Sequence, residues 1–193
     1  PNLLVNPDFM DSKVPNLLQR VDSVNGLTPF GFSYIKEMER LGIIIDVSHL
    51  NDAGFWDVFD TCTKPFVASH SNARRICPVA RNLSDEMILA LKEKGGVMGL
   101  NFCGDFLELH DLPNGKSRIE AMVKQIQYIK DLAGIEVIGL GTDFDGINCE
   151  CEIENASQMY LLEQALYEAG FTTEEVEKIF YKNVLRVYQE VLK

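Results

Sequence analysis

Basic side chains are scarce in this chain. Its 193 residues hold 18 Lys and Arg against 29 Asp and Glu, a net charge of −11. No long basic run offsets that balance, which excludes a nucleic-acid groove or an anionic membrane surface as partner. The acidity leaves the substrate open, because a bound metal reverses the local field. Long apolar runs are missing and no signal peptide is visible, so neither a membrane span nor secretion is expected. Cysteine is present but unpatterned. Cys62, Cys77, Cys103, Cys149 and Cys151 are odd in number and irregular in spacing, which excludes a disulfide framework and fits a reducing, cytoplasmic compartment. Cys149 and Cys151 read as two free thiols in a loop. Histidine is nearly absent, with three in all.

What is there is ordinary for a soluble globular domain: 46% hydrophobic and 24% charged residues. Residues 1–25 are poorly patterned and read as an irregular N-terminal arm. From GLTPFG at Gly26 onward, strands and helices alternate. FSYIKEMERL has helical spacing and stops at Gly42; GIIIDVS is a continuous apolar run; DAGFWDVFDTC is a helix; PFVAS is a short strand. A helix over Leu83–Lys94 opens at Ser84-Asp85, GVMGLNF is a strand, and a long helix over Arg118–Leu132 stops at Gly134. EVIGLGTD is the last strand. Two helices follow, over about 156–169 and 173–191, the second opened by a capping box of Thr172 and Glu175. Continuous apolar strands alternating with helices specify a parallel sheet covered by helices. Four such units amount to half of a closed (β/α)8 barrel, which takes eight strands and typically about 250 residues.

Three of the strand runs end in a residue able to bind metal: IIIDVSH at His49, KPFVASH at His70 and VIGLGTD at Asp143. In barrels of parallel strands, chemistry sits where the C-terminal strand ends meet. Neutral imidazole is the commonest metal ligand. A hydrogen-bonded histidine closing a strand explains His49 or His70 alone equally well; the pair, one βα unit apart, points to metal. A carboxylate at Asp143 can bind metal, take a proton from water or protonate a leaving amine, whereas Asp145 reads as a turn residue. Arg74, Arg75 and Arg81 each offer a guanidinium fork for a substrate carboxylate, and spacing does not choose among them. His110 reads as a solvated loop histidine.

Taken in order, GLTPFG, IIIDVSH, PFVASHSNARRICPVARN, GVMGLNF, GLGTDFDG and KNVLRV resemble the C-terminal part of the membrane dipeptidase (renal dipeptidase) family of zinc peptidases, over about residues 26–191. The resemblance implies a (β/α)8 barrel of the amidohydrolase type with two zinc ions. It implies hydrolysis of dipeptides through a metal-activated water, with D-residues tolerated at the C-terminal position and some β-lactam opening. It makes His49 and His70 ligands of the second zinc, Asp143 the catalytic acid/base, and Arg81, directly before Asn82, the holder of the substrate carboxylate. The family's first strand carries an H-x-D pair for the first zinc, a later strand carries a bridging glutamate, and a further histidine contacts substrate. No H-x-D occurs here and no histidine precedes His49. Residues 26–193 are therefore expected to form the C-terminal half of the barrel. Such a half is expected to pair as a homodimer or with a missing N-terminal half, and the alternative is a non-catalytic half-barrel that only assembles with itself or a partner.

Overall fold

The computed structural model describes residues 21–110 and 115–192. Most of the expected N-terminal arm thus lies outside the described residues. Helix α1 (Pro29–Leu41) begins where the Thr28 hydroxyl accepts the N–H of Gly31 and Pro29 pre-sets the first turn. It ends at Gly42, whose φ of 73° lets the chain turn back with its N–H on the last helical carbonyls. Asn51 caps α2 (Asp52–Thr61) by accepting the N–H of Gly54, and Ser84 caps α3 (Asp85–Glu93) by accepting that of Met87. Strand β1 (Val67–Ala68) lies between α2 and α3, β2 (Val97–Leu100) follows α3, and β3 (Ile138–Leu140) follows α5 (Ile119–Ala133). The short α4 (Gly104–Leu107), not expected from the sequence, follows β2.

All strand pairing in the sheet is parallel, in the order β1-β2-β3, with Val67 opposite Val97 and Met98 opposite Ile138. The apolar run ending at His49 is less regular than expected. It makes one isolated bridge, Asp46 to Val67, supported by Val47 N–H on Val67 O at 2.8 Å and Val67 N–H on Ile45 O at 2.9 Å. It lies alongside β1 through these contacts alone, so the sheet among the described residues has three strands and not the four expected.

One face of the sheet, through Ala68, Met98, Leu100 and Ile138, is buried in the main core with Phe55, Ile88, Leu91 and Ile126 from α2, α3 and α5. Among the described residues the other face is covered near the strand starts. There Val97, Val67 and Ile44 meet Val184, Val187 and Val191 of α8 (Asn183–Val191). The side-chain amide of Asn183 donates to Ile135 O and Ile138 O, both at 2.8 Å. Arg186 donates to Gly95 O and Glu136 O. These bonds pin α8 across the N-terminal ends of β2 and β3 and leave the C-terminal ends to the loops.

The helix expected over 173–191 is three pieces: α7 (Thr173–Glu177), a π segment (Lys178–Lys182) and α8. The Thr172–Glu175 capping box is present. The wider π turn re-phases the chain, so that α7 buries Val176 against the main core while α8 turns its valines to the strand starts. The helix expected over 156–169 opens as a 3-10 turn (Ala156–Gln158) before α6 (Tyr160–Glu168). Among the described residues no helix is long and apolar enough to cross a membrane.

Candidate active site

The loops at the C-terminal strand ends bring the expected residues together over a floor of bare backbone. A Cβ on Gly99 would stand 2.1 Å from the Ser69 carbonyl oxygen, and one on Gly141 would stand 1.8 Å from it. Only glycine allows three strands to approach so closely. His70 leaves the floor one residue after Ser69, and Asp143 two residues after Gly141. His49 rises from the neighbouring run.

The two imidazoles face each other. His49 Nε2 and His70 Nε2 lie 2.8 Å apart, with ring centroids at 4.8 Å and planes tilted by 55°. Burial lowers the pKa of His49 to about 4, aided by the Arg81 charge and by His70 and opposed by Asp46 and Asp143. His70 is lowered by the same desolvation and by Arg81. Both rings are therefore neutral at pH 7, with lone pairs available to an electrophile. Behind His70, Nδ1 meets Ser69 Oγ at 2.7 Å, and Ser69 Oγ meets Asp46 Oδ2 at 2.5 Å. The N–H of His70 donates to Ser48 Oγ at 2.9 Å.

Arg81 distinguishes itself from its neighbours by what it lacks. Arg74 forks onto Asp52 at 2.7 and 2.8 Å. Arg75 is exposed and pairs with Asp85. Arg81 is 7% exposed, donates to Ser71 Oγ and His70 O at 3.0 Å each, and lies 5.7 Å from the Phe106 ring centroid. Among the described residues it forms no ion pair. Burial presses its pKa down to about 10, against the pull of Asp46 and Asp143. A buried guanidinium without a counter-ion is costly, and a bound carboxylate would relieve it.

Asp143 has a φ of 59°, the one positive value among the described non-glycine residues. Strain of that kind collects at functional sites. Its Oδ2 accepts from Asn101 Nδ2 at 3.0 Å, while its carbonyl accepts the N–H groups of Gly146 and Ile147 in the turn beyond. Asp145 is exposed on that turn.

Asn101 was not singled out by the sequence, although GVMGLNF ends a strand run in a polar residue as the other three runs do. It is fully buried and locked to Asn72 by reciprocal bonds of 2.9 and 3.0 Å. Asp46 and Ser69 were likewise missed, being small polar residues inside a strand run. His110 corrects an expectation. It is half-buried, not solvated, with Nε2 donating to Gly104 O at 3.2 Å. Cys149 and Cys151 are free thiols, their sulfurs 3.6 Å apart.

The histidine pair fits part of a metal site. Zn–N bonds of about 2.0–2.1 Å in tetrahedral geometry separate two donors by roughly 3.3 Å, so the rings need to part by only about half an ångström. Two donors are fewer than the three that catalytic zinc usually takes from protein. Among the described residues no group of three or more His, Cys, Asp and Glu side chains is placed to hold an ion.

The chain matches the family described as membrane dipeptidase (peptidase family M19) over residues 3–193. It is 36% identical over 170 residues to a Klebsiella pneumoniae protein described as "Uncharacterized protein in pqqA 5'region", covering 88% of this chain and 63% of that one. It is 33% identical over 168 residues to "Dipeptidase tcpJ" of Claviceps purpurea (strain 20.1), covering 86% of this chain and 39% of that one. The structure superposes on a metallo peptidase from Rhodobacter sphaeroides, solved with a phosphinate mimic of the dipeptide L-Ala-D-Ala. The TM-score is 0.81 at 31% identity, over 86% of this chain and 47% of that one. The chain thus spans about half the length of the relatives it matches. The profile match along nearly all of its length, and the shared arrangement of parallel strands and helices, place this chain in the membrane dipeptidase family, peptidase family M19.

Proposed function

We propose that this chain supplies one side of a zinc dipeptidase active site, at the C-terminal end of a (β/α)8 barrel of which it forms half. The observation that carries the reading is Arg81: a buried guanidinium with no carboxylate partner among the described residues, beside two converging imidazoles. A dipeptide has a free carboxylate one residue from its scissile bond, and Arg81 binds that group. His49 and His70 hold one zinc of a two-zinc site. The remaining ligands come from outside the described residues, in keeping with a chain that spans about half the length of its relatives. When bound, the metal supplies a polarised carbonyl and a water acidic enough to attack at neutral pH. Asp143, held by Asn101, would accept a proton from the attacking water and pass it to the leaving amine nitrogen. The phosphinate mimic bound to the Rhodobacter relative makes an Ala-Ala dipeptide with a D-residue at the C-terminus the first substrate to try. Five free cysteines favour a cytoplasmic setting.

The two-donor set also favours a dependent reading, in which this chain turns over substrate only after assembly with the other half of a barrel or with a second copy. Zinc content and dipeptide hydrolysis, measured together on dialysed protein, test both. About two zinc ions per active unit with turnover supports the dipeptidase. Turnover gained only on adding an N-terminal half supports the dependent form. Neither zinc nor turnover under either condition overturns the proposal.

A further inference from the structure

The polar residues behind His70 form a chain whose proton positions are determined. Asp46 lies in the run before His49, and Ser69 directly precedes His70. One Asp46 oxygen, Oδ1, accepts two backbone N–H groups, those of Ser48 at 3.0 Å and Ser69 at 2.9 Å. The other, Oδ2, stands 2.5 Å from Ser69 Oγ, which in turn stands 2.7 Å from His70 Nδ1.

An ionised carboxylate can only accept hydrogen bonds, and a serine hydroxyl carries one hydrogen. If that hydrogen went to the imidazole, two bare oxygens would face each other at 2.5 Å. It must therefore go to Asp46, so Ser69 Oγ can only accept from His70. The hydrogen of the neutral ring then sits on Nδ1, and Nε2 is bare and accepts the Nε2–H of His49, 2.8 Å away. We propose that Asp46 and Ser69 are positioning residues that hold His70 as the Nδ1–H tautomer, with the Nε2 lone pair aimed at the point shared with His49.

A carboxylate reaching a ligand histidine directly is a common arrangement; here a hydroxyl is interposed. The carboxylate is fixed by backbone from two segments, the run ending at His49 and the end of β1, so the relay ties the direction of the His70 lone pair to the spacing of those segments. The purpose of the relay rests on the reading of His70 as a zinc ligand, but its proton positions do not.

The test is the tautomer itself, read from long-range proton–nitrogen correlations of nitrogen-15-labelled histidine in metal-free protein near neutral pH. With three histidines in the chain, His49→Gln and His110→Gln assign the signals. The expected result is His70 protonated at Nδ1. Ser69→Ala and Asp46→Ala should each abolish the preference, and Ser69→Thr should restore it, as loss of packing alone would not. In zinc titrations Ser69→Ala should weaken affinity by about 10- to 100-fold. His70 protonated at Nε2 in the unaltered protein would overturn the proposal, as would a tautomer unchanged in both alanine variants. An Nδ1–H ring in a protein that takes up no zinc, either alone or with an N-terminal half added, would uphold the relay and overturn the metal reading instead.

Discussion

Arg81 sits where a charged side chain is expensive, and on the function proposed above a substrate carboxylate offsets that cost. Removing that charge should therefore weaken substrate binding more than it disturbs the fold. Arg81→Met is expected to raise KM for a dipeptide by about 30-fold or more, the equivalent of about 2 kcal/mol for one partner of a desolvated charge pair. The loss in kcat should be smaller and the urea midpoint near that of the unaltered protein. A KM within twofold would refute the assignment. His49 gives a prediction in pH. Its folded pKa, about 4, lies below the ordinary value of about 6.5, so folding favours the neutral ring. Its contribution to stability is complete above the ordinary value and is lost as pH falls through about 4. The difference in urea midpoint between unaltered protein and His49→Gln should be flat from neutral pH down to about 6.5 and then shrink steadily as the solution is acidified. A difference independent of pH would refute the shift. At this scale His49, His70 and Asp143 were legible in the sequence because each follows an apolar run. The choice of Arg81 over Arg74 and Arg75 came from the family resemblance and not from spacing, because it depends on Asp52 and Asp85 being close enough in space to occupy the other two. Asp46 and Ser69 were hidden for a related reason: a hydroxyl between a carboxylate and an imidazole is a relation across strands.

Among the elements, α8 matters most for the frame of the site. Asn183 is buried and its amide satisfies two carbonyls at the start of β3. Asn183→Ala would leave both unsatisfied, at about 1–3 kcal/mol each. We expect a destabilisation of about 2 kcal/mol or more by urea denaturation, and Asn183→Asp should not rescue it, since an ionised carboxylate cannot donate to a carbonyl. A loss under about 0.5 kcal/mol, the usual scatter of surface changes, would refute the role. The helices were read closely from the sequence where their caps are local: Ser84 and Thr172 announce themselves beside the turns they close. The π segment was not, because nothing in KIFYK departs from helical patterning. The wider turn answers the need of α7 and α8 to face different neighbours. The strands were shorter than their apolar runs, since the final residues of each run leave the ladder to build the site.

For the molecule as a whole, the question is what covers its open surfaces. Among the described residues β3 is paired on one side only, and α8 exposes Leu185 and Tyr188 three residues apart, with Leu192 exposed just past its end. An unpaired edge beside an apolar stripe favours association. The chain on its own is expected to sediment heavier than a monomer at high concentration, and Leu185→Lys with Tyr188→Lys should shift it toward the monomer. A monomeric mass with a sharp, concentration-independent melt would count against this. The parallel α/β plan was legible from alternation and run length. Closure into a barrel is not, since it depends on strands beyond those described.

The glycine floor has a consequence for how this site can change. With no room for a single methyl group at Gly99 or Gly141, the base of the cavity is closed to variation, whatever selection asks of it. New preferences can be written only in the walls, on the loops that follow His49, His70, Asn101 and Asp143. A library randomised at the floor should return almost nothing but glycine, while one of equal size in the loops should return altered substrate ranges on an unaltered frame.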